Sequence, residues 1–470
     1  MTSTLDDYRA LIAKKAIQFE PRGLDKIPAL NTSMFPHQVA CTEFALRTGC
    51  SGLFLATGLG KSLCSLEWGR IIVEHTNKPV LMLAPLAVSK HHEREADRFG
   101  IDAKAVREAS EIGGPRVYIT NYERLAKFDA SAFGGVVLDE SSILKSFNGS
   151  TSRAIIASFA GMPFRLSATA TPAPNDHMEL GTQSEFLGAM RSMEMLSRFF
   201  INDTSTASQV WRLKGHAVDS FWAWVASWAR CATKPSDLGF DDATHVLPPM
   251  ETFTHIVAVD RSVNAGAEKD GQSRLFRVPD MSATSIHTEK RLTANARAEI
   301  VAGLVMAEPD EPWLVWVDTD YDADAVMRLL PDAVEVRGNM KPDEKEDRIM
   351  SFINRQSRIL VTKPSIAGLG LNLQHCARMA FTGLSFSFES YHQAARRCWR
   401  FGQTRPVHVH VTMADTERAI LDVIQRKADD FDEMGDAMRR AMRAAVNNQT
   451  ARAPYEPRRR VQIPSFMGAK

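Results

Sequence analysis

At 470 residues and 44% hydrophobic content, the chain is long enough for two or three domains and more than one apolar core. Its 57 Lys and Arg nearly balance 56 Asp and Glu, which excludes a globally basic nucleic-acid binder and confines any such contact to a local groove. Six cysteines without C-x-x-C spacing argue against a zinc knuckle or a disulfide framework and read as buried reduced thiols, and no apolar run approaches the roughly 20 residues of a membrane span.

The opening "MTSTLDDYRA" lacks the charged and apolar regions of a signal peptide, so a cytoplasmic protein is expected. From about residue 30 to 190, short apolar runs alternate with helical patterns: "GLFLA" (52–56), "PVLMLA" (79–84), "RVYIT" (116–120), "GVVLD" (135–139) and "FRLSA" (164–168). A second such region, about 290–415, carries "WLVWV" (313–317), "AVEVR" (333–337), "RILVT" (358–362), "RMAFT" (378–382) and "VHVHV" (407–411). Alternation of this kind predicts α/β architecture with two parallel sheets covered by helices. The stretch between them is less regular. Phe221, Trp224, Val225 and Trp228 repeat at helical spacing there and predict a buried stripe, while off-stripe Trp222 is left free for base stacking. A long helical pattern over 416–446 precedes a tail, 447–470, with a basic run at Arg458, Arg459 and Arg460.

Chemistry concentrates at the strand ends. "ATGLGKS" follows a strand and opens a helix, the context of a phosphate loop. Backbone N–H groups from Thr57, Gly58, Leu59 and Gly60 would approach phosphate oxygens, Lys61 would reach the β- and γ-phosphates, and Ser62 would offer its hydroxyl to Mg²⁺. Leu55 stands where the strict pattern has glycine. "GGVVLDESS" (134–142) then places Asp139 and Glu140 where an apolar strand leaves the sheet: Asp139 to hold Mg²⁺ through its waters, Glu140 to orient and deprotonate a water. In "QAARRCWRFGQ" (393–403), Gln393, Arg397 and Arg400 fall at i, i+4 and i+7, on one helix face, and two such arginines suit charge stabilisation of a transferring phosphoryl group.

In order along the chain, these motifs resemble superfamily 2 helicases of the DEAD/DEAH type and, within them, the Swi/Snf-like ATPases. "FPHQ" (35–38) resembles the adenine-reading Q motif, with Gln38 as its hydrogen-bonding residue. "LMLAPLAVSKHHEREADRF", "YITNYERL" (118–125), "LSATATP" (166–172), "AGLGLNLQ" (367–374) and "QAARRCWRFGQ" resemble further family motifs, with Gly370 and Gln393 on the nucleotide side. Ser141 and Ser142 replace the Ala-His that the family carries after Asp-Glu. The "WRLKGHA…FWxW…PSDLG" segment is similar to one in the compact phage- or prophage-encoded branch.

The resemblance implies two RecA-like lobes with ATP and Mg²⁺ in the cleft between them. The division expected is a lead-in (1–30), lobe one (31–190), a mainly helical insert (191–290), lobe two (291–415), a C-terminal helix (416–446) and a flexible basic tail (447–470). It implies a DNA-dependent ATPase that translocates on or remodels DNA, with a strand-separating helicase or a non-motor nucleotide-bound scaffold as alternatives. Double-stranded DNA is the first expected partner, then single-stranded DNA or RNA, then phage replication or recombination proteins, with no membrane. Candidate DNA contacts are Lys90, His91, His92, Asn121 and Tyr122 in lobe one and Lys363 and Asn372 in lobe two.

Overall fold

The structure, a computed structural model, describes residues 19–85, 89–146, 149–173, 176–203, 210–243, 245–259, 283–367 and 371–450. Gly370 and the tail beyond residue 450 lie outside them. The strands are β1 (Cys50–Leu55), β2 (Val80–Ala84), β3 (Ala103–Ala105), β4 (Val117–Asn121), β5 (Gly135–Asp139), β6 (Phe164–Thr169), β7 (Phe200–Asp203), β8 (Val210–Leu213), β9 (Ala229–Ala232), β10 (Met250–Val257), β11 (Trp313–Trp316), β12 (Val334–Val336), β13 (Ile359–Thr362), β14 (Arg378–Phe381) and β15 (Val407–Ala414). The helices are α1 (Pro36–Thr48), α2 (Lys61–Thr76), α3 (Ser89–Arg98), α4 (Ser150–Ser158), α5 (Leu180–Leu187), α6 (Ser192–Phe199), α7 (Val218–Trp228), α8 (Ala283–Ala307), α9 (Asp320–Leu329), α10 (Pro342–Ile353), α11 (Pro364–Ala367), α12 (Phe388–Ala395) and α13 (Arg418–Thr450).

Two large parallel sheets form two RecA-like lobes. The first runs β3-β4-β2-β5-β6-β1-β9 and the second β10-β15-β14-β11-β13-β12. The central strands of both sheets are buried on both faces, which is why they read as continuous apolar runs. Alternate residues of one strand feed opposite cores: Leu81 and Leu83 join the layer of Trp224 and Trp228, whereas Val80 and Met82 join that of Leu66, Trp68 and Ile71. The second sheet repeats the pattern, with Leu314 and Trp316 facing one core and Trp313 and Val315 the other.

All ten expected strands are present, and the structure adds five more. Four of those lie within the stretch 191–290: β7 and β8 pair antiparallel with each other, β9 pairs with β1 (Gly52 opposite Ala229), and β10 pairs with β15 along its whole length. That stretch is therefore shared between the lobes. Its stripe is buried as expected, but Trp222 is only 4% exposed and packs against Phe221 and His177, so it offers no face to a base. Finally, α13 places Ile420 and Ile424 in the second lobe's core and Met434, Met438 and Met442 in the first lobe's.

Register sets up the site. Phe54 lies opposite Thr169, and Asp139 opposite Ala168, so the loop after β1, the acidic pair ending β5 and the turn after β6 leave the sheet at one edge. Ligands of open parallel sheets bind at that carboxyl edge.

Candidate active site

The loop between β1 and α2 turns on two glycines with positive φ, Gly58 at 97° and Gly60 at 82°. Space is as demanding as conformation. A Cβ on Gly60 would lie 2.1 Å from Gln38 Nε2, and one on Gly58 would lie 2.7 Å from the backbone nitrogen of Phe401, in the second lobe. Gln38 is held by the loop and its own helix start: Nε2 donates to Leu59 O (3.2 Å), and Oε1 accepts from Phe35 N–H (3.0 Å). Thr57 is half-buried and Leu59 is buried. Lys61 Nζ donates back to Leu55 O at 2.7 Å. Burial draws its pKa down to about 8, against the pull of Glu140 and Asp139 and with the push of Arg397 and Arg400. All four of those charged groups therefore lie close enough to act on Lys61.

Asp139 and Glu140 end β5 but face different surroundings. Asp139 Oδ2 is 2.7 Å from His92 Nε2, and its backbone oxygen accepts from Tyr122 OH at 2.7 Å. Burial alone would raise the Asp139 pKa, but the His92 charge and hydrogen bond, then Lys61 and Arg397, hold it below the usual carboxylate range. The partner imidazole is raised to about 9: burial opposes its charge, and Asp139 overcomes that. Glu140 sits in the left-handed region (φ 59°), a conformation that costs a non-glycine residue about 1–3 kcal/mol. Its Oε1 accepts from Thr169 Oγ1 (2.7 Å) and Ser142 Oγ (3.3 Å). Burial pushes the Glu140 pKa up, with Lys61 opposing and Asp139 adding to the rise. The two adjacent carboxylates are thus driven in opposite directions by their surroundings.

The second lobe brings its groups from α12 and the turn after it. Ser387 Oγ caps the helix by accepting from Ser390 N–H (3.2 Å). The helix ends at Ala395, so Arg397 and Arg400 do not share a helix face with Gln393, contrary to the spacing argument; they follow in a run of turns. They converge through a shared acceptor instead, both Nη1 atoms donating to Leu371 O at 3.3 and 3.1 Å. Arg397 is 4% exposed, its Nε donates to Gln393 O (3.0 Å), and burial lowers its pKa to about 10. Arg400 Nε is buried and unpartnered among the described residues. Gln393 crosses the crevice: Nε2 lies 3.5 Å from Glu140 Oε1 and 3.4 Å from Thr171 Oγ1. Beside it, Lys145 of the first lobe pairs with Glu389 of α12.

The expected DNA contacts separate into two groups. His92, Asn121 and Tyr122 are buried, which removes them from any exposed groove. The reason is positional, since β4 is an interior strand and the His92 and Tyr122 side chains close on Asp139. His91 is exposed, Lys90 Nζ pairs with Glu346 (2.9 Å), Lys363 pairs with Asp320 (2.8 Å), and half-buried Asn372 accepts from Gln374 N–H (3.3 Å). The role of His92 beside Asp139 escaped sequence reasoning, as did the Leu371 carbonyl. The one available signal was the i, i+3 spacing of His92 and Glu95.

Residues 296–402 match the helicase conserved C-terminal domain. The match runs from within α8 through the arginine-bearing turns, and it supports a superfamily 2 helicase-type protein with an ATP-dependent motor. No curated protein sequence matches the chain.

Proposed function

We propose that the chain is a Swi/Snf-like ATPase of the compact phage- or prophage-encoded branch, stimulated by DNA, that translocates on or remodels duplex DNA. One observation carries this reading: Gln393, Arg397 and Arg400 of the second lobe meet Lys61, Asp139 and Glu140 of the first in a single buried crevice. ATP is the substrate. The loop N–H groups and Lys61 bind its phosphates. Ser62 and ionised Asp139 are hard oxygen donors of the kind Mg²⁺ takes, and Mg²⁺, when bound, neutralises charge on the phosphate oxygens.

Glu140 Oε1 is occupied by donors, which leaves Oε2 to orient the attacking water and take its proton. Arg397 and Arg400 stabilise charge on the transferring group, a contribution of about 10³–10⁵ in rate. Because neither lobe completes the site alone, substrate favours closure and product release favours opening, and that cycle displaces one DNA-contacting surface relative to the other. DNA binding through phosphate contacts falls steeply with salt.

Phosphate release with and without duplex DNA tests the reading. Glu140→Gln and Arg400→Ala should keep ATP binding and lose turnover by about 10²-fold or more. Unchanged turnover in Glu140→Gln removes the water-activating role, and strand displacement on duplex DNA or RNA would move the assignment from translocase to helicase.

A further inference from the structure

One of the side chains that the proposed reaction needs for its cation, Asp139, is tied to helix α3. His92 Nε2 holds Asp139 Oδ2 at 2.7 Å. His92 is 1% exposed, and its Nδ1 stands 3.8 Å from Glu95 Oε2, too long for a hydrogen bond. On the other side of α3, Lys90 and Arg94 pair with Glu346 of α10, at 2.9 and 3.5 Å. The helix therefore meets the second lobe on its solvent side while its inner face touches Asp139.

We propose that His92 is a positioning residue for Asp139: by holding Oδ2 it leaves Oδ1 for the cation. The inference rests on the ATPase reading of this crevice. A carboxylate that is itself hydrogen-bonded loses rotational freedom, and removing such an outer partner typically weakens metal binding by about 10–100-fold. The position is unusual for the resemblance the chain carries, because the histidine expected two residues after Glu140 is Ser142 here.

The test is a Mg²⁺ titration of the full-length protein with a fluorescent ADP analogue, alongside the same binding measured in EDTA. His92→Ala should weaken the Mg²⁺ dependence about 10–100-fold and leave metal-free nucleotide affinity unchanged. His92→Gln, which keeps an N–H donor, should recover a large part of the loss. The thermal shift produced by Mg²⁺ with ADP, over ADP alone, should shrink in parallel. An unchanged Mg²⁺ midpoint in His92→Ala, or equal losses with and without the metal, overturns the inference. If the alanine variant does not fold, His92→Gln carries the test: its residual loss should fall on metal-dependent binding alone. A wild-type protein with no Mg²⁺-dependent nucleotide binding sinks the ATPase reading instead, which keeps the two failures distinct.

Discussion

Gln393 touches, with one amide nitrogen, both Glu140 and Thr171, the acidic pair's end and the turn after β6. Ser141 Oγ lies 2.8 Å from Ser167 Oγ, and Gln183 Nε2 donates to Ser141 O at 2.8 Å, so the residue that follows the acidic pair is bonded to β6 and to α5 within the first lobe as well. Ser142 stands two residues after Glu140, and the Gln393 amide bonds the two lobes directly. One residue before Gln393, His392 is packed against Phe388 and Phe431, and burial, then Arg396 and Arg397, lowers its pKa to about 3. The sign follows from linkage. Above pH 6.5 both folded and unfolded chains hold this imidazole neutral; below it only the unfolded chain takes the proton. Stability should then fall by up to about 1.4 kcal/mol per pH unit as the pH drops toward 3. Chemical denaturation at pH 7 and pH 5 should show a shallower decline in His392→Gln. At this scale the site was legible where its chemistry is written in short runs at strand ends, as at Gly58–Ser62 and Asp139–Glu140. It was not legible where a partner arrives from elsewhere in space: His92 and Asp139 are 47 residues apart, and no local pattern joins them.

At the level of elements, burial decides what a sequence reveals. β5, "GVVLD", is buried throughout and reads as a strand on sight. β9, "ARCA", is equally buried but carries Arg230, whose guanidinium lies 3.4 Å over the Phe44 ring and donates to Ala226 O and Ala229 O, so a charged residue hides a buried strand at the end of its sheet. β10, an edge strand, is hidden for the opposite reason: most of its residues face solvent, and it shows no apolar run. Helix α7 gave the clearest pattern of the 191–290 stretch, and its tryptophans anchor it. Trp224, 1% exposed, stacks on Phe199 at 5.5 Å and meets Trp228 at 5.4 Å. Trp224→Ala should cost about 3–5 kcal/mol in urea unfolding. Trp224→Phe should cost distinctly less than that, because the indole Nε1–H it removes is buried without a partner among the described residues.

Across the whole molecule, α13 is a packed, non-covalent brace between the lobes. It leaves β15, packs on the second core through Ile420 and Ile424, and seats Met434, Met438 and Met442 against the first lobe, where Arg443 also pairs with Asp237 at 3.1 Å. Three methionines at four-residue spacing form one seam along the helix. Replacing Met438 and Met442 with alanine should cost about 2–5 kcal/mol each at that seam. Calorimetry should then resolve two unfolding steps where the parent protein, with the seam intact, shows one.

Phe401 resting on Gly58 has a kinetic meaning. While that residue covers the glycine, a nucleotide bound as proposed would have no approach to the loop's backbone from that side until the two parted. Capture would then saturate: raising the nucleotide concentration would quicken uptake only until the rate of parting became the ceiling, and a bulkier residue at 58 would alter that ceiling before it altered the chemistry.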